Sequence, residues 1–329
     1  MTNASAMTAL KTLNATNKSL STTQSRISTG FRVAEASDNA AYWSIATTMR
    51  SDNKALSTVK DALGLGAAKV DTAYTGVKAA IDVVDEIKTK LVAAREPGVD
   101  RSKIQAEITQ LQGQLQANAD ASAFSGENWL AVKSDDAGYN ATKSIVSSFT
   151  RSSTGSVSVG TISVDTSKVK LFDTAANAGA AGVGILDTKY DAVTGAVGAY
   201  TATGTVNANQ ATAESATVFT VAGLNISGLS NSTDDLATLE GYIKGVDHAI
   251  GKMTSAASDL GAAKKRIDLQ SEFVTNLMDT IDRGVGTLVD ADMNKESTRL
   301  QALQVQQQLG IQALSIANGN SQTILSLFR

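Results

Sequence analysis

Apolar residues recur along most of this chain at alternating spacings of three and four, the pattern that keeps one helix face dry against another helix. The longest unbroken case is Leu56, Val59, Leu63, Gly66, Val70, Ala73, Val77, Ala80, Val84, Ile87 and Leu91. It predicts a coiled-coil helix whose stripe spans roughly 50 Å at ~1.5 Å per residue. Pro97-Gly98 ends that helix, and Ile104, Ile108, Leu111 and Leu115 mark a third one. The repeat resumes near Asp234 with Leu236, Leu239, Ile243, Val246, Ile250, Met253, Ala257 and Leu260. It runs on through Ile267, Val274, Met278, Ile281, Val285 and Leu288, with Lys264 and Ser271 as polar interruptions. Laid antiparallel, the two long stripes close a helical spoke.

Both ends carry the same spacing with little charge. At the C-terminal end, no charged side chain stands between Arg299 and Arg329. Leu300, Leu303, Leu314, Ala317, Ile324 and Phe328 form a seam there, while Val305, Leu309, Ile311 and Ile316 lie on other faces. A helix apolar around much of its circumference must be surrounded by protein or lipid. The glutamines at 301, 304, 306, 307, 308 and 312 break any run long enough for a bilayer. At the other end, Met1 to Phe31 reads as a helix stopped at Gly30. Its expected seam is Ala6, Leu10, Leu13, Leu20 and Ile27, with Asn3, Asn17 and Gln24 in the remaining positions, where isolated polar residues set register. Ser37 or Asp38 is expected to cap the next helix. The two arms are expected to pair, with the middle of the chain looping out between them.

That middle differs in kind. Phe124 to Val132 reads as strand or extended chain. From about Asp135 the composition turns to Ser, Thr, Gly, Ala and Val. Val157 and Val159, then Ile162 and Val164, alternate with polar residues about Gly160-Thr161, which predicts a hairpin with a tight turn at that pair. Val169–Phe172 and Val218–Ile226 are further strand candidates, and 174–215 is too rich in Ala, Gly and Thr to assign. The fold class expected is mainly α with a β-rich insertion.

Composition narrows the chemistry. In 329 residues with a net charge of −3, no surplus of basic side chains exists to hold a nucleic-acid backbone. The absence of cysteine removes disulfides, thiol catalysis and Cys-based metal sites together. His248 is the single histidine and falls off the helical seam, where a solvated side chain is the simpler reading than a base. HExxH and a phosphate-cradling Gly-rich loop are both missing from the sequence. Asp135-Asp136 and Asp234-Asp235 fit turns and helix caps better than an acid pair. Trp43 and Trp129 are expected as core anchors. No catalytic, cofactor-binding or metal-ligating residue is assigned, and no cofactor. A basic-then-apolar leader and an 18-residue apolar run are both missing, so composition taken alone would place the chain in the cytosol, without membrane insertion.

Two stretches resemble the bacterial flagellins, in particular those of alphaproteobacterial, rhizobial type. One is SRISTGFRVAEASDNAAYWSIATTMRSDNKAL, Ser25 to Leu56; the other is DADMNKESTRLQALQVQQQLGIQALSIANGNSQTILSLFR, Asp290 to Arg329. The likeness extends over roughly 1–132 and 234–329. It implies a structural subunit that polymerises into the flagellar filament for swimming, secreted without a cleaved leader through the flagellar type III export apparatus. It also implies three parts: 1–42 with 289–329 as an inner coiled coil lining the filament core, 43–140 with 231–288 as the helical spoke, and 141–230 as a β-rich surface domain. Leu10, Leu13, Leu20, Ile27, Met293, Leu300, Leu303, Leu309, Leu314 and Leu325 are the core contacts this implies.

The partners implied are other copies of the chain or related flagellins, an export chaperone, and junction and cap proteins. Host innate receptors are implied as weak partners. Glu86, Lys88, Lys90 and Leu91 lie where many flagellins carry Gln-Arg-Val-Arg-Glu-Leu, and the arginines and the acidic residue are not matched. Ser37, Asn39 and Tyr42 likewise depart from the usual Lys, Asp and Gly of a segment read by a plant receptor. A junction or cap-like flagellar protein with the same arms is the alternative. An inserted hydrolase lacks the residues it would need.

Overall fold

The computed structural model describes residues 4–152, 154–175, 183–192, 194–197 and 218–327, with side chains in the last helix as far as Gly319. Among them five helices run α1 (Ala4–Thr29), α2 (Ala40–Ala93), α3 (Arg101–Ala121), α4 (Thr233–Val289) and α5 (Met293–Leu327). Between α3 and α4 lie β1 (Ala123–Phe124), β2 (Glu127–Asn128), β3 (Ala131–Val132), β4 (Thr142–Arg151), β5 (Val157–Asp165), β6 (Phe172–Asp173), β7 (Tyr190–Asp191) and β8 (Val218–Phe219). The chain divides into two compact units, Met1–Ser57 with Asn276–Arg329, and Thr58–Thr275. The long helices α2 and α4 contribute to both.

In the larger unit, the stripe Val59, Leu63, Val70, Ala73, Val77, Ala80, Val84, Ile87 and Leu91 is buried throughout, as the spacing predicts. Leu239, Val246, Met253, Leu260 and Ile267 of α4 face it. Ion pairs from Lys88 to Asp247 and from Lys264 to Asp71 fix the antiparallel sense. α3 turns back at Gly98 (φ +89°) and buries Ile108 and Leu115. Asp100 caps it through the Ser102 N–H. Two glycines, Gly66 in the α2 stripe and Gly245 on α4, are sockets for the β-rich part. A Cβ at Gly66 would stand 2.3 Å from Ile145 Cγ2 of β4, and one at Gly245 would stand 2.5 Å from Phe219 Cζ of β8. Gly64, two residues from Gly66, faces open space. Gly64→Ala is therefore expected to stabilise the chain by about 0.5–1 kcal/mol. Gly66→Ala is expected to destabilise it by about 1–3 kcal/mol through displaced Ile145. Chemical denaturation of the two variants reads the opposite signs directly.

Several expectations for the β-rich part need correction. Gly160-Thr161 is not a turn. β5 runs straight through it and pairs antiparallel with β4 from Arg151↔Val157 onward, and Gly155, with φ +85°, lies between the two strands. Gly160 sits opposite the irregularity between Val146 and Ser148, and a Cβ there would meet Ser148 Oγ at 2.3 Å. The glycine marks a close approach inside a strand, not a reversal. Val169–Phe172 yields only the two-residue β6, parallel to β3, and Val218–Ile226 only β8, antiparallel to β7. Val169, Leu171, Val221, Leu224 and Ile226 are buried, so their apolar character reflects core position in irregular chain. Much of 174–215 lies outside the described residues.

One carboxylate ties the parts of this unit together. Glu127 of β2 takes Lys69 of α2 at 2.6 Å and Lys143 of β4 at 2.7 Å. Burial alone would raise its pKa, but the two ammonium groups outweigh that and bring it down to about 2. A lowered carboxyl contributes stability that is present above its unfolded pKa and is lost as pH falls through the folded one. Wild-type thermal stability should therefore fall between pH 4.5 and pH 2, and Glu127→Gln should remove that part of the acid limb while lowering stability at neutral pH. Equal acid limbs for both proteins would show that the clamp contributes nothing.

The smaller unit has a compact core of Val33, Ala46, Val285 and Val289, with Phe31, Ile281 and Leu288 against it. Trp43, expected in a core, is 38% exposed, because Ala46 on the inward face takes the place against Val285 and Val289. Trp129, in the larger unit, is buried. The cap of α2 is Asn39, whose Oδ1 accepts from the Tyr42 N–H at 3.1 Å, and not Ser37 or Asp38. Asp38 instead accepts from the Ala34 and Glu35 N–H groups at 3.0 and 3.2 Å, which shapes the loop before the helix.

Candidate assembly surface

α1 and α5 pack as an antiparallel pair inside the smaller unit. Arg26 meets Glu296 at 3.2 Å, Gln307 donates to Asn17 at 2.8 Å, and Leu13 Cδ1 lies 3.3 Å from where a Cβ of Gly310 would be. Each pair sums to nearly the same number, which defines one register. On α5 the inward residues are Glu296, Leu300, Leu303, Gln307, Gly310, Leu314 and Ala317, again at spacings of three and four. The chain reaches this pair through a stitched junction. Gly30 (φ +75°) closes α1 with its N–H on Arg26 O, Arg32 and Val33 both donate to Val289 O, and Ala291 donates back to Gly30 O. Asp292 then caps α5 through the Asn294 and Lys295 N–H groups.

The seam of α1 needs a correction in register. Ala6, Leu13, Leu20 and Ile27 do turn toward α5, but the positions between them are Ala9, Thr16 and Thr23 rather than Asn3, Leu10, Asn17 and Gln24; residue 3 lies outside the described residues. Thr16 and Thr23 are buried. Thr16 turns its hydroxyl back onto Thr12 O at 3.0 Å, which satisfies it within its own helix. Small residues allow close packing. The sequence carried a signal for this, an Ala-Thr-Thr series at seven-residue intervals, but a larger Leu10 beside it drew the seam the other way.

The core contacts expected from the sequence consequently fall into two groups. Leu13, Leu20, Ile27, Leu300, Leu303 and Leu314 are half-buried in the seam. Leu10, Met293 and Leu309 are exposed, and Leu325, Ile324 and Phe328 lie outside the described side chains. On α5 the residues facing away from the seam form a stripe of their own: Val305 is 56% exposed, Leu309 59% and Ile316 66%. Spacings of four and seven put the three on one helix face, opposite Leu303, Gly310 and Leu314. Met7 and Leu10 of α1 are exposed as well. An exposed apolar stripe of this kind marks an interaction site.

In the segment from Glu86 to Leu91, Lys88 is held by Asp247, Lys90 bridges Glu107 at 2.7 Å and Glu86 at 3.5 Å, and Leu91 is buried. The hydrogen bond to Glu107 raises the Lys90 pKa. His248 is exposed on α4. Asp136 pairs with Lys133 in a turn, and Asp235 accepts from Ser230 ahead of α4. Among the described residues no cluster of three or more His, Cys, Asp or Glu could hold a metal ion, and no helix is long and apolar enough to cross a membrane.

Residues 1–135 match the model of the bacterial flagellin N-terminal helical region, and residues 243–328 match that of the C-terminal helical region. Flagellin C of Rhizobium meliloti strain 1021 is 53% identical over all of this chain and 98% of its own length. Flagellin A of Rhizobium meliloti is 48% identical over all of this chain and 99% of its own. A flagellin of Brucella melitensis is 44% identical, again over all of this chain and 98% of its own. With both helical regions matched in order and full-length relatives on either side of half identity, the chain belongs to the bacterial flagellin family.

Proposed function

We propose that the α1–α5 pair is the self-assembly element, and that each copy covers its outward stripe with the arms of its neighbours. As a flagellin the chain is a structural subunit that polymerises into the flagellar filament and serves motility; it is not an enzyme. The observation that carries the finer reading is the apolar stripe Val305–Leu309–Ile316 on a helix with no charged residue between Arg299 and Gly319. In this reading Leu10, Met293 and Leu309 meet other copies. Leu13, Leu20, Ile27, Leu300, Leu303 and Leu314 hold the pair together, and Leu325 continues the contact beyond the described side chains. The arms form the inner layer (1–42 with 289–329), the long helices the next (43–140 with 231–288), and 141–230 the outer surface. A junction or cap-like role is not favoured, since the full-length relatives are flagellins.

Export in an unfolded state through the flagellar type III apparatus, to the outside of the cell, fits a chain without cysteine. An export chaperone, junction proteins and a cap are the partners of that route. Weak activation of host innate receptors fits Lys88 and Lys90 being tied into ion pairs and Leu91 being buried.

The arms should be largely unfolded in the free subunit and fold on polymerising. A two-helix pair with a half-buried seam gains too little burial, at ~25 cal/mol per Å2, to offset the ordering of its backbone until neighbours add theirs. Amide exchange tests this. Residues 4–29 and 293–319 should exchange freely in monomers and be protected in filaments, whereas protected arms in the monomer would reject coupled folding.

A further inference from the structure

The α1–α5 pair has two unlike sides. Because its helices run antiparallel, the residue just before a seam position lies on the same side of the pair in both, and the residue just after it lies on the other. Ser5, Thr8 and Thr12 stand just before Ala6, Ala9 and Leu13, and Ala313 just before Leu314. With Gly310 and Ala317 they line an open trough of about 580 Å³. On the opposite side Met7 and Leu10 follow Ala6 and Ala9, and Ile311 follows Gly310. These three are 60%, 48% and 53% exposed and form a ridge. We propose that the pair binds a second copy side to side, the Met7–Leu10–Ile311 ridge of one copy seated in the trough of the next. The proposal rests on the filament reading above and names one contact within it.

Size decides for this pairing over either side meeting itself. Trough against trough would enclose a void, and ridge against ridge would hold the helices apart, whereas contacts that last pack to the density of an interior. Each self-pairing would also close into a dimer, while ridge in trough is heterologous and repeats from copy to copy. Charge sets no obstacle. Within 4–15 and 303–319 the one charged side chain is Lys11, exposed two residues past Ala9 on the face of α1 turned away from α5. Arg299, the nearest charge on α5, lies three turns before Gly310. A charged occupant would lose its water in a trough without a counter-charge, so the occupant is apolar. The trough is also continuous with the outward stripe of α5, since Ala313 stands one turn from both Leu309 and Ile316. A neighbour's stripe seated in the trough would leave the ridge bare. The ridge seated there leaves neither side uncovered.

The absence of cysteine lets a single probe be placed. Ile311→Cys subunits carrying a thiol-linked benzophenone are added as a minor component to isotope-labelled wild-type protein, so that filaments grow on the wild-type chain. After irradiation and digestion, mass spectrometry locates the residue to which the probe has joined. The expected attachment is to Ser5, Thr8, Thr12 or Ala313 of the labelled chain. Filaments in which the probe joins only the Val305–Leu309 stripe, the Tyr42–Met49 turns of α2, its own chain or nothing overturn the pairing and leave the filament reading standing. Ala313→Phe gives a second measurement. Ala313 is exposed and outside the seam, so the variant keeps its own pair but fills the trough. The concentration needed for growth should rise at least ~10-fold, while Ala313→Ser should grow as the wild type does. Growth of Ala313→Phe equal to wild type overturns the pairing as well. Wild-type protein that grows no filaments overturns both the pairing and the filament reading.

Discussion

Val305→Asp, Leu309→Asp and Ile316→Asp are each expected to abolish filament growth while α2, α3, α4 and the β-rich part stay folded. All three residues point away from the α1–α5 seam, so none of them breaks a contact within the chain. If the stripe is covered by neighbouring copies, each substitution removes about 1.5–3 kcal/mol of apolar burial per contact. It also leaves a carboxylate in a dry site, which costs several kcal/mol more unless it is paired or protonated. Every 1.4 kcal/mol is tenfold in association, so the concentration needed for growth should rise more than ~100-fold. Sedimentation after salting out, with electron microscopy of the pellet, gives the readout, and far-ultraviolet circular dichroism shows that the long helices persist. Leu303→Asp and Leu314→Asp should also stop growth, but by breaking the seam. Val159→Asp is the control. It places the same charge on an equally exposed valine of β5, where growth should continue. Normal filaments from all three stripe variants would end the assignment of α5 as the contact helix.

Legibility followed how much of a helix or strand each residue's role depends on. The α2 stripe is correct from Val59 to Leu91 because only one registration of eleven positions buries them all, and no substitute face was available. On α1 two registrations share Ala6, Leu13, Leu20 and Ile27. Ranking by hydrophobicity picks Leu10, yet packing picks Ala9 and Thr16, because interhelix distance selects for size before polarity. The same bias placed Trp43 in a core. Gly66 stands in the apolar stripe as a cost to its helix, but its role as a socket is not legible, since Ile145, which fills it, is distant in sequence, and the same holds for Gly245 and Phe219. Gly160 was read as a turn because a strand-internal glycine is recognised only once its partner Ser148 is known. The outward stripe of α5 could be read from the sequence as a face in need of cover. What separates it from the seam is the register fixed by Arg26, Asn17 and Leu13, which no single helix carries.

The buried pair Lys170–Asp173 sets the second large expectation, a loss of about 3–5 kcal/mol on Lys170→Met. Lys170 Nζ lies 2.6 Å from Asp173 Oδ2, and both side chains are almost wholly buried. The other carboxylate oxygen accepts from the Ser134 and Ala175 N–H groups at 3.0 and 3.1 Å, and the Asp173 N–H donates to Asp187 at 2.8 Å. Burial pushes the Asp173 pKa up, but Lys170 and the Ser134 and Ala175 donors outweigh it, so the net shift is down. Its stabilising contribution is thus present above the unfolded carboxyl pKa and is lost as pH falls through the folded one. Methionine fills the space of the lysine stem but supplies no cation, so burial of the carboxylate goes uncompensated. The stranded group should then take up a proton at a higher pH than in the wild type. The gap between the two proteins is accordingly widest near neutral pH and narrows toward pH ~4. Lys170→Met/Asp173→Asn should recover much of the loss, because the amide oxygen still accepts from Ser134 and Ala175 without a charge to bury. Denaturant unfolding across pH measures all three proteins. A loss below ~1 kcal/mol for Lys170→Met, in the range of exposed ion pairs, would mean that water reaches the site and that the pair does not organise this part of the fold.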